Sequence, residues 1–188
     1  IKGIKKYCDE KQLPLHLDGA RVFNALIENE MDFKTYAEPF NSISICLSKG
    51  LGAPVGSLLL GDKDFIYKAR RVRKVFGGGM RQAGIIAAGG LYALQNNFYR
   101  IKDDHSGAKK LESHLKKSAS IEKVLPVETN IVVFELKDPT KVNQYISNLE
   151  AHGILTLPFG GGTIRMVTHL DINQEDIERT CEVIDKIG

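Results

Sequence analysis

The sequence predicts an α/β chain in two parts, the end of a larger domain built on a mostly parallel sheet followed by a smaller C-terminal α/β domain. Short apolar strand segments alternate with helix-periodic segments along the whole chain. The strand segments that end at Asp18 and Ser48 imply a parallel sheet, whose strands need neighbours and helices on both faces. Near Ser106 the character changes, which places the boundary between a part at 1–105 and a part at 106–188.

In chain order, Ile1–Tyr7 is lysine-rich and helix-like. Leu13–Leu17, introduced by Pro14, reads as a short apolar strand, as do Ser44–Leu47 and Val55–Leu60, the last bounded by Pro54 and Gly61. Asp62 or Asp64 can cap a helix whose apolar residues Phe65, Ala69, Val72 and Phe76 recur at three- and four-residue spacing, and Gly77-Gly78-Gly79 stops it. Helical patterns follow from about Gln82 to Tyr99 and from about Ser106 to Lys117. A strand is expected over Asn130–Leu136, where Val132, Phe134 and Leu136 alternate. Beyond it come a helix carrying Val142, Tyr145, Ile146 and Leu149, and a strand around Ile164–Val167. The last helix places Ile177, Cys181, Ile184 and Ile187 on one face, with Asn173 and Asp176 suited to a capping box.

Composition narrows the function classes. The 188 residues are 43% hydrophobic and 26% charged, an ordinary globular balance that excludes disorder and fibrous repeats. A net charge of +3 is too mild to imply nucleic acid. No apolar run reaches the roughly 18 residues of a membrane span; the longest candidate, Gly84–Leu94, holds three glycines. Cys8, Cys46 and Cys181 are far apart and lack metal or disulfide spacing, so they read as reduced thiols in a cytoplasmic protein, and no metal site is expected. The chain opens on Ile1 without an initiator Met or signal-like start, and so reads as an internal piece of a longer protein.

Four segments carry residues suited to chemistry. In Leu15–Arg21, strand alternation turns His16 and Asp18 one way while Leu15 and Leu17 face the core. Asp18 then sits at the C-terminal edge of a strand, where α/β sheets bind ligands. It either caps the following helix or binds a cation or a protonated ring nitrogen. In Ser44–Ser57, an apolar strand ends in Ser48-Lys49 before Gly50, Gly52 and Gly56. Lys49 is either an ordinary lysine leaving a strand end or a desolvated amine made nucleophilic, with glycines that let a bulky ligand approach.

The third segment runs from Arg70 to Gln82 and includes Lys74 and Arg81. Its basic residues suit a helix C-terminus, and its three glycines could cradle an anion. The fourth, Phe159–Leu170, holds Arg165 between Ile164 and Met166, where a guanidinium implies either a structural ion pair or a carboxylate ligand.

Taken together, LHLDGAR, SICLSKGLGAPVGS, RKVFGGGMRQAG and TIRMVTHL, in that order, resemble the low-specificity L-threonine aldolases. These are pyridoxal-phosphate enzymes of the aspartate-aminotransferase fold type, within the beta-eliminating lyase and threonine aldolase superfamily. The resemblance covers the entire chain, and the family is longer; its phosphate-binding segment and a ring-stacking histidine would lie upstream.

The resemblance implies a PLP-dependent transferase-like fold and a cofactor of pyridoxal 5'-phosphate. It implies a retro-aldol cleavage of a small β-hydroxy amino acid, threonine or allo-threonine, to glycine and acetaldehyde. Lys49 looks like the lysine that links covalently to the cofactor, Asp18 like the carboxylate on its pyridine nitrogen, and Arg21 like the residue at its phenolate oxygen. Ser48 would line the cofactor site, and Arg165 would bind the substrate α-carboxylate. Lys74 and Arg81 fall in a stretch that lies near the active site at a subunit interface in this family, which implies a homodimer or homotetramer. Two rival readings are another enzyme of the same fold, a β-eliminating lyase or an aminotransferase, and a cofactor-free fragment without activity.

Overall fold

The computed structural model describes all residues, Ile1–Gly188, and divides into two compact units, Ile1–Tyr99 and Arg100–Gly188. Residue 106 lies inside a helix, Ile101–Leu115, so the division falls ahead of that helix and leaves it whole in the second unit.

In the first unit, helix α1 (Lys2–Glu10) leads to strand β1 (His16–Gly19), helices α2 (Val22–Glu28) and α3 (Phe33–Ala37), strands β2 (Ser42–Cys46) and β3 (Ser57–Gly61), and helices α4 (Lys63–Val75) and α5 (Gly84–Asn96). β1 begins later than its apolar pattern suggests. The Leu13 amide is spent on the Cys8 carbonyl that closes α1, and Pro14 has no amide to offer. Leu15 instead exchanges hydrogen bonds with Asn41, whose side-chain oxygen accepts from the Leu15 amide at 2.8 Å. The sheet order is β1-β2-β3: the strands that end near Asp18 and Ser48, β1 and β2, run parallel as expected, and β3 joins β2 antiparallel.

One face of that sheet is apolar. Leu17, Ile43 and Ile45 pack on Val22 and Leu26 of α2, and Ile43, Ile45 and Leu26 are almost wholly buried. Gly19 is required where β1 meets β2, because a Cβ there would stand 2.7 Å from the Ser44 carbonyl oxygen. Asp62 caps α4, its carboxylate accepting from the Phe65 amide at 2.8 Å, which resolves the choice between Asp62 and Asp64.

The second unit holds α6 (Ile101–Leu115), β4 (Ile121–Val124), β5 (Ile131–Leu136), a 3-10 turn (Pro139–Lys141), α7 (Val142–Ala151), β6 (Leu157–Gly160), β7 (Thr163–Val167) and α8 (Gln174–Ile187). Its sheet is antiparallel in the order β4-β5-β7-β6. Val132, Phe134, Ile164 and Met166 meet Ala108, Leu111, Leu115, Leu149 and Ile184 in a closed core on one side of the sheet. The Asn173–Asp176 capping box forms in both directions and starts α8. Cys181 sits in this core, and burial pushes its thiol up from the usual range, as suits an inert cysteine.

The first unit also exposes much apolar surface. Leu58, Leu59 and Leu60 are open on both faces of β3, and Val75, Phe76 and Ile85 are 82%, 85% and 87% exposed. Apolar surface beside an unpaired strand edge favours self-association. The 188-residue chain expressed alone is therefore expected to elute as large aggregates on size exclusion. A soluble monomer would contradict this.

Candidate functional site

β1 and β2 run in parallel and end on the same side, which brings Asp18 and the segment after Cys46 to one sheet edge. Asp18 stands opposite Ser44 in register and is exposed, on the same strand face as His16, whose Nδ1 hydrogen-bonds the Ser42 hydroxyl at 2.8 Å. The carboxylate of Asp18 accepts from the Ala20 amide at 3.1 Å and does not cap α2. That helix has Arg21 at its N-cap, with no side-chain cap bond. The local turn thus orients Asp18 without consuming it in an ion pair, and the capping alternative falls away. Arg21 is half-buried one position into the same turn.

Ser48 and Lys49 follow β2 in a loop pinned at several points. The Leu47 amide donates to the Gly56 carbonyl, the Ala53 amide to the Leu47 carbonyl, and the Gly52 amide to the Lys49 carbonyl at 2.8 Å. Gly52 takes φ +68°, a left-handed value that closes the turn and that glycine tolerates best. Leu51 is buried to 1% exposure as a plug, and its carbonyl accepts from the Asn97 side chain at 2.7 Å. α5 lies tightly on the loop: a Cβ at Gly90 would come within 2.9 Å of Leu47, and one at Gly89 within 2.9 Å of Pro54.

Sequence reasoning used those two glycines only to argue against a membrane span. Their adjacency inside a helix was the available signal for close packing. The Asn97 clamp left no local signal.

Both Ser48 and Lys49 are exposed. The expected desolvation of Lys49 is thus not supplied by this chain's own packing, because the amine leaves the strand end toward solvent. Its backbone is fixed and its amine is unpaired, so what the loop supplies is placement.

The anion cradle expected at Gly77–Gly79 takes another form. Gly78 and Gly79 lie under the side chains of Arg73 and Lys74, which fold back over them from the last turn of α4. The glycines make room for basic side chains. Lys74 and Arg81 are both exposed, and Gln82 has φ +50° just ahead of α5.

In the second unit, Arg165 occupies the middle of β7 opposite Val133 of β5 and Leu157 of β6. Ile164 and Met166 face the core, so alternation turns Arg165 to the open face, where it is half-buried. Among the chain's carboxylates none pairs with it, which removes the structural ion pair. Its guanidinium carbon lies 5.0 Å from the centroid of the Phe159 ring.

A buried polar network anchors the end of β7. The Thr168 hydroxyl donates to the Asp104 carbonyl at 2.7 Å, and the Asn130 side chain donates to the Thr168 carbonyl at 2.8 Å. Arg100 binds both carboxylate oxygens of Asp104 at 2.7 Å; burial nevertheless pushes the Asp104 carboxyl above its ordinary range. None of these residues was singled out in the sequence.

Comparison with known proteins gives one direction. The model of the beta-eliminating lyase family matches residues 1–139. Arabidopsis thaliana "Probable low-specificity L-threonine aldolase 2" is 41% identical over 190 residues, covering 100% of this chain and 54% of that protein. The Low specificity L-threonine aldolase of Escherichia coli K12 is 38% identical over 94% of this chain and 52% of its own length. The structure of Leishmania major threonine aldolase superposes with a TM-score of 0.75 at 22% identity, over 98% of this chain and 54% of that one, which shows the shared fold. The chain spans about half the length of the curated relatives it matches.

Proposed function

The chain belongs to the beta-eliminating lyase family, and from that premise we propose that the whole protein is a pyridoxal-phosphate-dependent aldolase cleaving threonine or allo-threonine to glycine and acetaldehyde. The observation that carries this reading is the exposed carboxylate of Asp18 and the exposed amine of Lys49 at the same edge of one sheet, each held by its backbone and neither spent in an ion pair.

That donor set fits the cofactor. A pyridine N–H needs a carboxylate acceptor, and the cofactor aldehyde needs an unpaired primary amine. When bound, pyridoxal phosphate supplies an electrophilic carbon for the substrate amine and a protonated ring that accepts the electron pair of a broken Cα bond. Lys49 would hold the cofactor covalently and, once displaced by the substrate amine, carry a proton for the substrate Cα. Asp18 would keep the ring nitrogen protonated. Arg21 would fix the ring at its phenolate oxygen, and Ser48 would line the site.

Arg165 would bind the substrate α-carboxylate and so select which Cα bond stands perpendicular to the ring; for a β-hydroxy amino acid that bond is Cα–Cβ. The first unit is then the cofactor-binding part and the second the small C-terminal domain. Lys74 and Arg81 belong near a subunit interface in a cytoplasmic homodimer or homotetramer.

The test is product analysis on the full-length, cofactor-loaded protein. L-threonine is expected to yield acetaldehyde and glycine in equal amounts. Release of ammonia, or amino transfer to a 2-oxo acid without acetaldehyde, would move the protein to one of its sister chemistries.

A further inference from the structure

Arg165 shares the open face of its sheet with an aromatic ring two residues along β6 from its own pairing partner, Leu157. Leu157 pairs with Arg165 and Pro158 with Ile164, but Gly160, not Phe159, then pairs with Thr163. Phe159 is the unpaired residue of a bulge and, two residues from Leu157, stands on the Arg165 face by alternation. The chain then reverses through Gly160, Gly161 and Gly162 at φ +85°, +56° and +85°, and the Thr163 hydroxyl donates to the Gly160 carbonyl at 2.7 Å. A Cβ at Gly162 would also stand 2.9 Å from Pro139. Three consecutive left-handed residues are accessible to glycine at little cost and to other residues at much more. The turn therefore fixes where Phe159 stands, and its ring lies 5.0 Å from the Arg165 guanidinium carbon.

We infer that Phe159 is a positioning residue for the carboxylate end of an α-amino acid substrate, acting through Arg165; this rests on the carboxylate-binding reading of Arg165. A guanidinium held over a ring face by a cation–π contact leaves its N–H groups available to a carboxylate, which matches their parallel pair. The contact also restricts a rotamer-rich side chain before the ligand arrives, which lowers the entropy lost on binding. The ring further shields one guanidinium face from water, which strengthens the charge-assisted hydrogen bonds made at the edge. Phe159 is 55% exposed, so its large ring contributes little to the core of the unit. A substrate without a carboxylate gains nothing from this arrangement.

The test uses the full-length, cofactor-loaded enzyme and calorimetric affinities for glycine and for methylamine, which lacks the carboxylate. Phe159→Leu and Phe159→Met remove the ring while keeping apolar bulk. Each is expected to weaken glycine about two- to fivefold, the worth of an exposed cation–π contact, while leaving methylamine unchanged. KM for threonine should rise more than kcat falls, and Phe159→Tyr should restore both. Unchanged glycine affinity in both ring-free variants, or equal weakening of glycine and methylamine, would overturn the inference. Arg165→Lys separates the two readings: if it leaves glycine affinity intact, the carboxylate assignment of Arg165 itself fails.

Discussion

Lys49→Ala in the full-length enzyme is expected to lose threonine cleavage by at least about a thousandfold while still binding pyridoxal phosphate non-covalently. The expected spectroscopic counterpart is loss of the visible band and of any link reducible by borohydride. The magnitude follows from the role: a covalent tether and proton carrier at the reacting carbon have no local substitute. Ser48 next to it carries a hydroxyl rather than an amine, and the turn from Lys49 to Gly52 leaves the neighbouring backbone little freedom to bring another group into place. The protein should remain folded, because Lys49 is exposed and the loop is held by Leu51, Asn97 and the α5 glycines. A Lys49→Ala enzyme with a borohydride-reducible cofactor would remove the assignment.

Arg165→Lys is expected to have the next largest effect. Charge is retained, but the bidentate fork and the guanidinium contact with the Phe159 ring are lost. Truncating one partner of a buried charge pair costs about 2–5 kcal/mol. Arg165 is half-buried and the lysine keeps a cation, so the low end applies, a fall in kcat/KM for threonine of roughly 30-fold. Cofactor content should be unchanged, since Lys49 and Asp18 belong to the other unit. Equal kinetic constants in the variant and the parent enzyme would return Arg165 to a purely structural place in β7.

What could be read before the structure was local. Asp62 and the Asn173–Asp176 box act within one helical turn, so their residue types suffice to place α4 and α8. Asp18 and Lys49 were legible as strand-end residues flanked by glycine, and their pairing came from the order of four motifs. What could not be read depended on partners distant in sequence. The antiparallel run of β3 is decided by its pairing with β2, which its three leucines do not encode. β6 was missed because Pro158 and Gly160 argue against a strand, yet as a short edge strand with a bulge it tolerates both. The contact between Phe159 and Arg165 went unread with it, because alternation from Leu157 shows it only once β6 is paired with β7. The environment of Arg165 was misjudged from its apolar neighbours, although strand alternation itself sends it to the opposite face.

The most direct test of the account is to reduce the cofactor-loaded full-length enzyme with borohydride, digest it, and locate the retained label by peptide mass. The account predicts a single pyridoxyl group on the lysine of the segment Ser44–Ser57, which is Lys49, the one lysine between those residues. A label on any other lysine, or protein that loads with cofactor and keeps none after reduction, would contradict it.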